Sequence, residues 1–354
     1  MPTLLAHEVT NSAVKTFKGL HLYHSKNSHC CRQVRLALSL KQIQYISHDI
    51  DINSKNENVQ QDYIGINPRG LVPTLVHEGK VIVETIDILL YVDKTFSTNN
   101  DNGGAMRRLI PGPSHDRIVR LVECVDELQM CIRTITIGRL PRGVQQTKAK
   151  GMQLGLLGAM TREQKRSKND AKNEDGSIDA QTTAAPRKNT FELRMGGELE
   201  SNVRGQNREQ NLMFWKQISQ RDFNKKERAM AYTHLFDAFM IFENRLKQTQ
   251  HLLGNNENDV LTLVDVAWWP VVGRFYNVLK EKKKTQFRKH APNVWEWYER
   301  LKLRPEFKIE VESDSLLLKM IVGYKETTNV SNVVALSVFI GSILLLWFMI
   351  KFEM

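Results

Sequence analysis

The stretch Asn67–Asp93, NPRGLVPTLVHEGKVIVETIDILLYVD, limits what this chain can fold into more than any other segment. Asn67-Pro68-Arg69-Gly70 is a turn cluster, because proline fixes φ and glycine accepts positive φ. Leu71 to Val76 is an apolar run of β type with Pro73 inside it, where a proline cannot donate to a neighbouring strand. A proline at the strand entry, preceded by a cis peptide, resolves the conflict and leaves the backbone of Val72 open instead of paired. His77-Glu78-Gly79-Lys80 then reads as a hairpin turn and Val81-Ile82-Val83 as the returning strand. Thr85 is placed to N-cap a helix whose apolar Ile86, Leu89 and Leu90 fall at i, i+3 and i+4. Such a helix start offers backbone N–H groups and a hydroxyl to an anion.

Upstream, Gly19 to His24 alternates and fits a first strand, and the pattern turns helical from about Cys30. Val34, Leu36, Ala37, Leu38 and Leu40 form the apolar face of that helix, with Arg32, Arg35 and Lys41 expected on the exposed side. Tyr45 to Ile50 reads as a second strand. The order βαβ then ββα predicts an α/β thioredoxin-like module over residues 18–96. His21, His24, His29, His48 and His77 lack helical ligand spacing with a third ligand, so they are expected at the surface and no metal is assigned.

After a polar connector from Thr95 to Pro113 the chain becomes helical. Ile118, Leu121, Val122, Val125, Leu128 and Ile132 predict one amphipathic helix, with Cys124 and Cys131 seven apart along its core side. Residues 143–210 are rich in Lys, Arg, Gln, Asn, Ser and Gly, a composition that buries too little surface to offset chain entropy and predicts a loop-like insertion. Helical pattern returns through Phe223 to Leu246, with Phe236, Phe239 and Met240 on a core face. Thr262-x-x-Asp265 is a capping box ahead of the apolar run Val266–Val272, a folding device and not a catalytic pair. Lys280 to His290 is a basic run, and Pro292 opens a helix carrying Trp295, Trp297, Tyr298 and Leu301. An all-α second domain over 113–308, split by the insertion, follows.

With 354 residues the chain can hold about two domains. Its net charge of +11 is dispersed and lacks an aromatic-interleaved basic motif, which excludes nucleic acid and favours an acidic membrane surface. Four cysteines without metal spacing fit a reducing compartment. Residues 330–350, VSNVVALSVFIGSILLLWFMI, carry no charge and as a helix would span the ~30 Å hydrocarbon core, predicting one C-terminal transmembrane helix. A span this close to the end is a tail anchor, inserted after synthesis, with everything before it facing the cytosol.

The Val-Pro strand, hairpin and Glu-Thr helix start resemble the glutathione-binding half of the glutathione transferase family. The resemblance implies that Val72 and Pro73 pair with the cysteinyl part of glutathione, and that Glu84 and Thr85 take its γ-glutamyl end. For the group that stabilises the thiolate it offers Tyr23 at the end of the first strand, or Ser28 at the first helix N-terminus. Cys30 and Cys31 lie just inside that helix and are expected to be small packed residues. The lysine that the family places two residues before the proline is here Leu71, which removes one contact to a glutathione carboxylate.

Over nearly the whole chain, LYHSKNSHCCRQVRLAL, VPTLV with ETIDILLYVDKTF, LTLVDVAWW, the insertion and the tail anchor resemble the ganglioside-induced differentiation-associated protein 1 family. That resemblance implies a tail-anchored, glutathione transferase-like protein of the mitochondrial outer membrane, shared in some members with peroxisomes, which regulates mitochondrial dynamics and fission. Its glutathione pocket would be vestigial or sensing, with weak or no activity. The alternative is a membrane-bound transferase that conjugates glutathione to electrophiles. Whether the chain forms a homodimer is open.

Overall fold

The computed structural model describes residues 9–52, 55–97, 108–111, 114–137, 225–253, 259–308 and 310. The insertion at 143–210 and the apolar stretch at 330–350 lie outside the described residues. Among the described residues no helix is long and apolar enough to cross a membrane.

The N-terminal half is a thioredoxin-like sheet of β1 (Leu20–His24), β2 (Ile46–Asp49), β3 (Thr74–His77) and β4 (Lys80–Val83), in the order β2-β1-β3-β4. β1 runs parallel to β2, with Tyr23 opposite His48, and antiparallel to β3, with Leu22 opposite Leu75. β3 and β4 form the hairpin, closed at Glu78 and Gly79 with φ of 49° and 75°. Two positive φ values in a two-residue loop match the right-handed strand twist. The helices are α1 (His29–Leu40), the short α2 (Gln61–Ile64) and α3 (Thr85–Thr95). Side-chain alternation sends Leu22, Leu75 and Ile82 into the large core shared with the helical half, while Tyr23, Val76, Val81 and Val83 fill a smaller core with Tyr63 and Ile66.

The helical half comprises α4 (His115–Glu127), α5 (Gln129–Ile137), α6 (Lys225–Glu243), α7 (Leu263–Val278), α8 (Glu281–His290) and α9 (Pro292–Lys302). The single amphipathic helix expected around Ile118–Ile132 is two helices, because the chain breaks at Leu128. Leu128 and Ile132 stay buried on either side of the break. Cys124 and Cys131 are half-buried at the margin of the core.

α7 is the buried centre. Its capping box forms as its sequence predicts, with Thr262 N–H donating to Asp265 Oδ2 at 2.9 Å. Asp265 is fully buried, and its Oδ1 also accepts from Leu252 N–H at 2.9 Å and Trp297 Nε1 at 3.0 Å. One carboxylate thus fixes α7, α9 and the preceding loop, each bond charge-assisted. Glu243, at the end of α6, accepts from Asn293 N–H and Val294 N–H at 3.2 and 3.0 Å. It satisfies orphan donors at the start of α9, where Pro292 occupies the first turn.

Arg32, Arg35 and Lys41, expected outside, are buried. Lys41 Nζ pairs with Asp93 Oδ1 of α3 at 2.9 Å, and both arginines meet Glu310. Arg32 also lies over the Trp269 ring of α7, 5.2 Å from its centroid. The charges turn inward because α1 is covered on its second side by the helical half, to which Gln33 Nε2 donates at Ala267 O, 2.9 Å. His21, His24 and His29, expected at the surface, are buried as well. His24 donates or accepts at Ser47 Oγ, 2.7 Å away, and its pKa falls to about 4 through burial and the neighbouring Arg35 charge.

Candidate functional site

A cleft lies between the loop entering β3, the start of α3, the first turn of α1 and the α4–α5 junction. Its lining includes Val72, Pro73, Glu84 and Thr85, so the structure brings together the four residues that the family resemblance points to for glutathione. Cys30, Asp126, Gln129 and Arg133 form much of the opposite wall.

The Val72–Pro73 bond is cis, as the sequence predicts. The loop before it is braced by side chains. Asn67 Nδ2 donates to Leu71 O at 2.9 Å and Thr74 Oγ1 at 2.8 Å, and the Tyr63 hydroxyl donates to Leu71 O at 2.5 Å. Among the described residues the N–H and C=O of Val72 itself make no hydrogen bond. An open backbone edge that faces a cleft is the geometry by which an extended peptide is paired.

Glu84, not Thr85, is the N-cap of α3, and Thr85 is its first residue. Glu84 sits at φ of 68°, a left-handed value that costs a non-glycine residue ~1–2 kcal/mol. Its carboxylate accepts from Arg69 Nη1 at 2.6 Å. The Thr85 side chain and the first N–H groups of α3 offer the site's anion-binding end.

Ser28 is the N-cap of α1, where its hydroxyl accepts from Cys31 N–H at 3.3 Å. It does not line the cleft; Cys30, two residues on in the first turn, does. Tyr23 is also absent from the lining. Its ring lies in the smaller core, stacked on His48 at 4.2 Å and edge-on to Tyr63 at 6.1 Å, with its phenol pushed up by burial. The side-chain alternation of β1 decides this, since Tyr23 and Leu22 must face opposite ways.

Cys30 is buried, and its Sγ receives Gln129 Nε2 at 3.0 Å. Burial raises its pKa and keeps the thiol protonated. Gln129 Nε2 also reaches Asp126 Oδ1 at 3.3 Å. The Asp126 pKa is pushed up to about 7 by burial first and then by the Glu84 charge. Arg133 makes no ion pair among the described residues, and burial works against its charge. The sequence reading missed Asp126, Gln129 and Arg133. Their i, i+3, i+7 spacing was a signal of a shared face, but nothing local said that the face meets the hairpin. Among the described residues no three His, Cys, Asp or Glu side chains are grouped to hold a metal.

The cleft encloses about 70 Å³, room for a few water molecules and well below the ~300 Å³ at which small-molecule sites begin. Gln129, Met130 and Arg133 narrow it from the helical side.

Residues 27–95 match the family model described as "Glutathione S-transferase, N-terminal domain", and 221–300 match "Glutathione S-transferase, C-terminal domain". Among curated proteins, the chain is 34% identical over 80 residues to "Glutathione S-transferase 1" of Dianthus caryophyllus, covering 23% of this chain and 36% of that protein. It is 38% identical over 74 residues to a "Probable maleylacetoacetate isomerase" of Caenorhabditis elegans, covering 21% and 34%. The chain thus spans about a third of the length of these relatives. Among solved structures, the beta-etherase LigF of Sphingobium superposes with a TM-score of 0.55 at 17% identity, covering 83% of this chain and 98% of that one. Glutathione S-transferase isozyme E7 of Drosophila melanogaster gives 0.52 at 16%, covering 86% and 96%. At such identities these superpositions speak for the fold alone. With a thioredoxin-like sheet, a helical second half and matches to both domains, the chain is glutathione transferase-like.

Proposed function

We propose that this chain binds glutathione in the cleft and uses the site for sensing, with weak or no turnover. The observation that carries the reading is the unbonded backbone of Val72 facing the start of α3. Val72 would pair with the cysteinyl main chain of the tripeptide, and Thr85 with the α3 N-terminus would take the γ-glutamyl carboxylate. Weak turnover is supported by the small free volume and by Tyr23 and Ser28 lying off the cleft wall. A tripeptide needs more room than the cleft encloses, so its walls must open on binding.

Resting on the family resemblance and on the charge-free 330–350 stretch, we place the protein in the mitochondrial outer membrane as a tail-anchored regulator of mitochondrial dynamics, shared with peroxisomes. The fold leaves room for a homodimer. A second reading, an active membrane-bound transferase, is favoured by Gln129 and Arg133 in the cleft.

Calorimetry of glutathione on the full-length chain in detergent, followed by a conjugation assay with an aryl halide, separates the readings. Binding without turnover supports the sensor, binding with turnover the transferase, and no binding removes both. Loss of the 330–350 stretch should release the chain from mitochondrial membranes; retention there would overturn the anchor.

A further inference from the structure

Two pieces of the thiol chemistry are unaccounted for. Neither the Tyr23 phenol nor the Ser28 hydroxyl reaches the cleft, yet the cleft contains a side-chain set already directed at a sulfur atom. Gln129 Nε2 donates to Cys30 Sγ at 3.0 Å, and the Arg133 charge works against the burial that raises the pKa of that same sulfur. Gln129 and Arg133 are four apart on α5 and so project from one face, and Asp126 precedes them by one turn on α4. Arg133 makes no ion pair among the described residues and lines the cleft, where the Asp126 and Glu84 charges act on it.

We infer that the helical half supplies the thiolate site: Gln129 and Arg133 hold the sulfur of bound glutathione as an anion, and Asp126 takes its proton. The inference rests on glutathione binding in this cleft. In the step, the S–H bond breaks, the proton passes to the Asp126 carboxylate, and the electron pair stays on sulfur, which takes over the Gln129 N–H now donated to Cys30 and faces the guanidinium. The groups around Asp126 are Glu84 and Asp87 from the α3 side and Gln129 and Arg133 from α5. The two acidic neighbours make a proton welcome on Asp126, and its pKa near 7 leaves it able both to accept and to release one at neutral pH. Arg133 has the opposite effect on sulfur. A guanidinium in a site with little water lowers a thiol pKa below its ordinary ~8.5.

The test is a pH titration of the ultraviolet thiolate absorbance of glutathione bound to the full-length chain, with S-methylglutathione-bound protein subtracted to remove protein thiols. Wild type should show a bound thiol at least ~1 pH unit more acidic than free glutathione, which is a tenfold gain in ionisation. Arg133→Ala and Gln129→Ala should each return most of that shift, and Arg133→Lys should keep part of it because the charge remains. Tyr23→Phe and Ser28→Ala should keep the full shift. Circular dichroism with calorimetry shows that each variant is folded and still binds. Glutathione bound with an ordinary thiol pKa, or a shift that survives in both alanine variants, overturns this inference and leaves the binding site standing. Failure of wild type to bind glutathione overturns the proposed function and this inference with it.

Discussion

Arg35 closes on Glu310 through two charge-assisted hydrogen bonds, Nε to Oε1 at 2.6 Å and Nη2 to Oε2 at 2.5 Å, across a sequence separation of 275 residues. Arg32 adds Nη2 to the Glu310 carbonyl at 2.7 Å. The segment that follows α9 is thereby fastened to α1, whose first turn lines the cleft. The two guanidiniums and the carboxylate are nearly dry, with side-chain exposures of 0%, 7% and 2%.

Removing the carboxylate leaves two buried cations facing each other. Glu310→Ala should therefore cost ~3–5 kcal/mol in urea unfolding, far more than a surface charge change. A loss below ~1 kcal/mol would mean that the pairing is not holding this segment in solution.

Asp93 has a parallel task. It pairs with Lys41 and accepts Leu109 N–H and Ile110 N–H at 2.7 and 3.2 Å, so it pins the entry to the helical half against α3. Asp93→Ala should lower stability by ~3 kcal/mol or more, since a buried lysine and two backbone donors lose their acceptor. Asp93→Asn should cost less, because it keeps an oxygen acceptor. Equal thermal shifts for the two variants would contradict this account.

The hairpin turn is equally testable. A Cβ on Gly79 would approach Lys15 O at 2.5 Å, and the φ of +75° disfavours a side chain in any case. Gly79→Ala should destabilise the sheet domain by ~2 kcal/mol or more. Hydrogen exchange at β3 and β4 would report the loss; unchanged protection would count against it.

At the cleft, Thr85→Val removes a hydroxyl while keeping shape, and should weaken glutathione binding about tenfold, or ~1.4 kcal/mol. Tyr23→Phe should leave affinity within about twofold, because the phenol faces the small core and not the ligand. Calorimetry on both variants checks the contrast, and the reverse ranking would put the ligand on the other face of the sheet.

The Asp126 carboxyl, raised from 3.8 to about 7, ties stability to pH. Its folded pKa lies above its unfolded one, so the native state binds the extra proton. That stabilisation is complete below about pH 4 and is lost as pH rises through about 7. Asp126→Asn should match wild type at pH 4 and exceed it by ~1 kcal/mol or more at pH 8. Unfolding curves at the two pH values decide; an identical difference at both would refute the coupling.

Local rules made much of this protein legible. Pro73 inside a β run, two turn residues at Glu78-Gly79, and Thr262 three residues before Asp265 each specify backbone shape within a few positions. Those patterns led to the hairpin, to α3 and to the α7 cap, while it was the family resemblance that pointed to Val72, Pro73, Glu84 and Thr85 as ligand residues.

Tertiary packing decided the rest. Arg32, Arg35 and Lys41 read as solvated charges because their partners, Glu310 and Asp93, lie far along the chain and only docking of the helical half brings solvent exclusion and a counter-charge together. Tyr23 was a candidate because the family resemblance points to the end of the first strand, whereas the face it takes follows from the pairing of β1 with β2 and β3. The wall of Asp126, Gln129 and Arg133 had no counterpart in the sequence reading for the same reason. Helical spacing puts three side chains on one face, but what that face meets is fixed only when α4 and α5 pack beside the hairpin and desolvate the groups between them.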